Sequence, residues 1–509
     1  MNRTRLPNLM TPAPPLVETS AGHGISGRDQ RNVYDEDLFD SSADDHTQNL
    51  HIVGPAVTKD SQVLSDYLSA IPGATRGAQM VVPVPANRSR PVLFTRVQKR
   101  PVGISINRSP SAEKLDIIEH LIGPLVSDAI DLYFRKVNPC FPLLDEVLFR
   151  RQYEANKERI SPALIGCLLA HTLVQWNYSK PLSDHQRPES RFIWNLANEA
   201  VYSELHLSPG MSIIKAILLN VGGLPTTSLI GNGVLLGSAV SMAHSLGLNH
   251  SPLPWEVSHS EKCLRMKIWW TLLVHDRWIS LAHEYIYNVN KDQSNGPTNL
   301  ELALNNWVES LTGTVRLIIL RGSHLDVPGA SNIRLSYLTT RLLLQRIELE
   351  SDKHTYEAHD RRLMNRYIQA RRTAEDILLL TQELKPEQLG DFWLSTHAFS
   401  YPATVNFLLR CGLETENSPA ELVQSPSFRI AHDLINTLRA HKEKYSWELA
   451  DVCLAQHTEI VDKILASVSS HDSQSVTGDF DPEHEFVMPD ASIIDQFYPS
   501  LWDPLQNAW

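Results

Sequence analysis

Among the residues of this chain that could do chemistry, a cluster of glycines comes nearest to a known pattern. Gly231-Asn232-Gly233 is followed by Val234, Leu235, Leu236 and Gly237. The third glycine falls one residue late for the GxGxxG turn that seats a dinucleotide pyrophosphate on a helix N-terminus. Pro225-Thr226-Thr227-Ser228 occupies the place of the strand such a turn needs, so these glycines are expected at a close helix–helix approach instead. Tyr287 and Lys291 have the YxxxK spacing of short-chain dehydrogenases, but with no cofactor fold around them the spacing carries no hydride chemistry. A GxSxG elbow, a GxxxxGK[ST] loop and an HExxH pair are all missing from the sequence. Asp44-Asp45 could bind magnesium only if walls excluded water, and its surroundings are polar. His171, His244, His275 and His397 fall in helical patterns and read as ordinary core or surface imidazoles. The expectation is therefore no catalytic residue, no metal site and no cofactor.

The five cysteines, Cys140, Cys167, Cys263, Cys411 and Cys453, are widely spaced with no CxxC pair. Zinc-site and redox spacings are thus missing, and reduced packing thiols are expected. A formal charge of −12 and a pI near 6.0 argue against a surface that coats nucleic acid. They leave room for a small basic module within an acidic chain. No run approaches the roughly 20 apolar residues of a membrane span. The opening Met1-Asn2-Arg3-Thr4-Arg5 lacks the apolar core of a signal peptide, and an intracellular protein with no membrane partner is expected.

The elements that must position any site divide the chain into four stretches. Residues 1–50 are rich in Pro, Ser and Asp and read as disordered, with an acidic run at Asp35-Glu36-Asp37-Leu38-Phe39-Asp40. Residues 51–112 read as a partly ordered linker. It holds a short helical pattern over Asp60–Leu68, then Pro83, Pro85 and Pro91, which favour extended chain. Its basic residues Arg96, Lys99 and Arg100 read equally as a nuclear import signal and as dispersed charges of a solvated linker.

From residue 113 to about 470, apolar residues recur at helical spacing and strand-like alternation is scarce. The fold class is accordingly all-α, a large multi-helix regulatory domain. One helix can be placed closely. Ser258-His259-Ser260-Glu261 has capping-box spacing, followed by Leu264, Ile268, Leu272 and Ile279, with Trp269, Trp270 and Trp278 widening the apolar face. That much aromatic area predicts burial of all three tryptophans. Asp276, beside Arg277, is expected in a structural ion pair with Arg265 or Arg277. The last stretch, 471–509, holds eight acidic residues and no Lys or Arg. Phe497, Tyr498, Leu501 and Trp502 sit among those acids, the composition of an activation segment that folds in a partner's groove. Docking of the tail on its own domain is the equal alternative.

Several stretches, taken in order, resemble the fungal-specific transcription factor domain, the middle homology region of fungal zinc-cluster regulators. Tyr133-Phe134-Arg135-Lys136-Val137-Asn138-Pro139-Cys140-Phe141-Pro142 is similar to its opening element. Gly237 through His250 resembles its G-x-A-x-x-M-A-x-x-L-G-L helix end, with Gly247 as a left-handed cap. Glu261 through Trp269, Trp270, Asp276 and Arg277 resembles its signature helix, and Leu335–Glu348 and Phe392–Cys411 resemble later helices. The resemblance covers roughly residues 113–468. After Arg277 the family's G-R-P turn is replaced by Leu281-Ala282-His283-Glu284. The family's Zn₂Cys₆ module has no counterpart in residues 1–139, which contain no cysteine. DNA contact is therefore expected only where such a module is supplied elsewhere.

The resemblance implies a nuclear regulator of transcription that contacts a coactivator or the transcription machinery. It also implies homodimers, or heterodimers with a related factor. One alternative is a zinc-less protein that pairs with such a factor and modulates it; a more distant one is an all-α enzyme with an unrecognised site.

Overall fold

Serines and prolines set the helix starts. Ser109 Oγ accepts from the Ala112 amide at 3.2 Å, Ser161 Oγ from Leu164 at 3.2 Å and Ser425 Oγ from Phe428 at 3.1 Å. Each serine is followed by a proline that has no amide to leave unpaired in the first turn. A computed structural model describes residues 48–52, 80–81, 94–98, 109–206, 210–223, 229–255, 257–282, 297–353, 361–416 and 418–474. All of them fall in one compact unit.

The first group of helices is α1 (Pro110–Ile122), α2 (Val126–Leu132), α3 (Glu146–Ala155), α4 (Pro162–Thr172), α5 (Ser190–Leu205), α6 (Met211–Gly223), α7 (Leu229–Ser245) and α8 (His259–Ala282). α4 and α6 form its centre. Every residue from Ala163 to Thr172 and from Met211 to Gly223 is buried, which explains why neither helix shows a polar face in the sequence. α1, α5, α7 and α8 surround them.

A second core lies among α9 (Pro297–Ser310), α10 (Gly313–Arg321), α11 (Ala330–Lys353), α12 (Arg361–Glu383), α13 (Ser400–Thr415), α14 (Pro419–Gln424), α15 (Pro426–Tyr445) and α16 (Asp451–Gln474). α11 and α12 form its longest antiparallel pair. Arg366 clamps them by donating to Glu348 at 2.5 Å and to Asp352 at 3.1 Å. Lys353 reaches Glu414 on α13 at 2.7 Å, and Tyr367 donates to the same carboxylate at 2.5 Å.

The two cores are stitched together directly. Ser395 Oγ donates to the Val221 carbonyl at 2.6 Å, the Tyr178 hydroxyl donates to the Tyr445 carbonyl at 3.0 Å, and Arg187 pairs with Glu448 at 2.8 Å. Phe392 and Leu394, from the second half of the chain, bury themselves in the first core.

The helical class thus describes the molecule, with one addition. The proline-rich stretch contains a small antiparallel sheet of β1 (Gln48–Ile52), β2 (Met80–Val81) and β3 (Phe94–Gln98), in the order β1-β3-β2. Gln48 pairs with Gln98 and Ile52 with Phe94. The strand crosses residue 50, the expected end of the disordered segment. Phe94 is fully buried, its ring edge-on to Trp255 at 5.4 Å. One long-range aromatic contact therefore fixes the extended chain on the helices.

Candidate functional site

The signature helix α8 is built from its cap inward. The Glu261 amide donates to Ser258 Oγ at 3.2 Å, as the capping box predicts. The Glu261 carboxylate also accepts from Arg265 Nε one turn on, at 2.7 Å, and both side chains are about 95% buried. Burial pushes the Arg265 pKa down, and Glu261 opposes it. Arg265 also donates to the Leu246 carbonyl at 3.2 Å and lies over the Trp255 ring at 5.2 Å. Gly247 takes φ +68°, the expected left-handed cap, and Phe94 stands so close that a Cβ there would meet it at 3.0 Å. The end of α7, the start of α8 and β3 therefore meet around one buried guanidinium.

Ten residues beyond Arg265, the face of α8 turned toward the second core carries the site's second part. His275 Nδ1 and Nε2 are fully buried and have no hydrogen-bond partner among the described residues; the same is true of His171 on α4. The Phe141 ring stands edge-on to His275 at 5.2 Å and stacks on Phe392 at 5.3 Å. Phe392 in turn stacks on His171 at 6.1 Å. Gly222 and Gly223 let the end of α6 pass these imidazoles: a Cβ on Gly223 would lie 2.5 Å from the His171 ring. Burial pushes both imidazoles down to about 4, with His171 adding to the effect on His275. Three stretches of the family resemblance, supplying Phe141, His275 and Phe392, converge here. His397 lies nearby, with Trp278 edge-on at 5.5 Å. It is held between Ser336 Oγ at 3.1 Å and Ser400 Oγ at 3.2 Å, and burial takes it down to about 3. These are neutral imidazoles at a helix junction rather than proton shuttles open to a substrate.

The residues singled out on α8 part company. Trp269 and Trp278 pack against the first core, but Trp270 is 65% exposed, so the expectation of its burial is corrected. The reason is phase: Ile268, Leu272, His275 and Ile279 mark the buried line. At about 100° per residue, Trp270 lies some 200° from Ile268. Asp276 is half-buried and Arg277 exposed. Arg265 pairs with Glu261 about 16 Å up the helix from Asp276, which removes it as the partner of Asp276.

Arg96 lies on β3 opposite Leu50. Lys99, Arg100, Tyr287, Lys291, Asp44, Asp45, the Asp60–Leu68 pattern and the tail residues Phe497, Tyr498, Leu501 and Trp502 lie outside the described residues. A Cβ on Gly237 would meet nothing within 4 Å, so the close approach expected there belongs instead to Gly223, Gly390 and Gly412. Sequence reasoning also passed over the His171–Phe392–Phe141–His275 cluster. Its only signal was two histidines in otherwise apolar helical runs, and that does not reveal that they face one another.

The thiols suit packing rather than catalysis. Cys167, Cys411 and Cys453 are buried, whereas Cys140 and Cys263 are partly exposed. Burial pushes Cys411, Cys453 and Cys140 up to about 12, with Asp391 adding to Cys140, so they remain unreactive thiols. Among the described residues no three metal-ligating side chains cluster, and no helix is long and apolar enough to cross a membrane.

Comparison with known proteins gives these helices a context. The family model described as the fungal specific transcription factor domain matches residues 130–310, the stretch from α2 to the end of α9. An uncharacterized transcriptional regulatory protein of Schizosaccharomyces pombe is 23% identical over 265 residues, 50% of this chain and 40% of that one. The transcriptional activator protein DAL81 of Saccharomyces cerevisiae is 26% identical over 33% of this chain and 17% of its own length. Cutinase transcription factor 1 alpha of Fusarium vanettenii is 26% identical over 33% of this chain and 19% of its own. The chain thus spans well under half the length of these relatives. No solved structure matches it.

Proposed function

We propose that this chain regulates transcription in the nucleus, on the ground that residues 130–310 match the family model described as the fungal specific transcription factor domain. The observation that carries the reading is the family match itself, which covers α4, α6 and α8 and so the centre of the first core. The names of the relatives given above agree: each is a transcriptional regulatory protein, an activator or a transcription factor. That agreement favours regulation over a pairing inhibitor or an all-α enzyme.

In this reading the helical domain of residues 113–470 is the regulatory body, and the acidic tail of residues 471–509 meets a coactivator through Phe497, Tyr498, Leu501 and Trp502. DNA is contacted through a zinc-cluster module carried by a partner or elsewhere, and Arg96, Lys99 and Arg100 serve nuclear import. Rapid depletion of the chain followed by nascent-transcript measurement tests the proposal. A discrete set of genes should change within the time of depletion, and an unchanged nascent transcriptome would contradict it.

A further inference from the structure

A cleft of about 260 Å³ opens between α9 and α11, against the end of α10. At ~30 Å³ per water-sized group, it holds on the order of nine non-hydrogen atoms. That is below the usual range for cofactors and drug-sized ligands, so dinucleotides and fused-ring effectors are too large. Its two charged walls are Arg341 on α11 and Glu301 on α9. They form no ion pair with each other, and among the described residues Arg341 has no hydrogen-bond or ionic partner although it is half-buried. One helical turn along α11, Gln345 also lines the cleft; it is 5% exposed and its Oε1 accepts no hydrogen bond. A buried amide oxygen left in this way keeps its desolvation penalty uncompensated. Leu304 and Leu344 supply an apolar wall.

We propose that this cleft binds a small zwitterion with an aliphatic side, an α-amino acid of about the size of leucine. Its carboxylate would meet Arg341, its ammonium would donate to Gln345 Oε1 and Glu301, and its side chain would lie on Leu304 and Leu344. A ligand bearing both charges bridges the two walls that do not reach each other. A dianion is disfavoured, since Glu301 faces the cleft and the buried carboxyl of Glu348 lies close behind it. Burial pushes the Glu348 pKa up; Arg366 opposes this, and Glu301 adds to it, so further negative charge beside Glu301 would be opposed. A simple alkyl chain would leave Arg341 and Gln345 as they are.

Calorimetric titration of the full-length chain tests this with leucine, isoleucine, valine and methionine. 4-Methylpentanoate, which lacks the ammonium, and 3-methylbutylamine, which lacks the carboxylate, serve as controls. At least one of the amino acids should bind saturably, and both controls should bind about tenfold or more weakly. Arg341→Gln sits on a half-exposed position and should weaken amino-acid binding by a similar factor while leaving the circular dichroism and thermal midpoint unchanged. Glu301→Gln should do the same with the larger effect on the ammonium. The proposal is overturned if no amino acid saturates below about 10 mM, if the controls bind as well as the amino acids, or if folded Arg341→Gln protein binds undiminished.

Discussion

Two tryptophans show how burial and function separate at the scale of the residue. Trp176 is fully buried in the first core, and its indole donates to the His185 carbonyl at 3.2 Å. Trp176→Ala should lower stability by about 3–5 kcal/mol in a denaturant titration. Trp270→Ala should change it by no more than about 0.5 kcal/mol, because the side chain is 65% exposed. The sequence made the buried line of α8 readable in Ile268, Leu272 and Ile279. It did not make Trp270 readable, because an indole suggests burial whatever its helical phase, and the phase of Trp270 turns it to solvent. The imidazoles give a second prediction. His171, His275 and His397 are held neutral in the fold, well below the ordinary value of 6.5. Between 6.5 and about 4 the unfolded chain therefore binds more protons than the folded one, so stability is complete above 6.5 and falls as the pH drops. Thermal melts from pH 7 to pH 4.5 should show losses of roughly 1 kcal/mol per pH unit per histidine. His275→Phe should flatten that dependence, since it removes a titrating group while keeping an aromatic ring against Phe141.

Helix ends were the most legible elements, because caps are local chemistry. Ser258 and Glu261 were read as the start of α8, and the Glu261 amide meets Ser258 as expected. What the cap motif did not reveal is that the Glu261 carboxylate is bound to a buried Arg265, since Leu246, Trp255 and Phe94 reach that guanidinium from distant parts of the chain. Glu261→Ala should therefore cost about 3–5 kcal/mol, far beyond the loss of a surface cap, because the buried Arg265 would lose the carboxylate that faces it at 2.7 Å. Replacing both residues, Glu261→Leu with Arg265→Met, should recover much of that loss in the same denaturant titration. The β1-β3-β2 sheet was illegible for the same reason. Proline spacing announced extended chain, but the docking of Phe94 on Trp255 and against Gly247, which holds that chain on the helices, depends on distant residues.

For the molecule as a whole, the helical spacing of apolar residues carried the helical class, while the joining of its two cores through Phe392 and Ser395 depended on contacts across the chain. The net charge of −12 predicts that the isolated chain binds DNA weakly and with little sequence preference. Mobility shifts at physiological salt should show no stable complex with any short site. On the proposed reading regulation acts through recruitment, and one measurement tests that reading most directly. The full-length chain, tethered to a neutral DNA-binding module upstream of a reporter, should raise transcription well above the module alone. Phe497→Ala with Trp502→Ala should return it to the module's level at equal protein abundance. Reporter output equal to the module alone, with the fusion intact and present in the nucleus, would contradict the account.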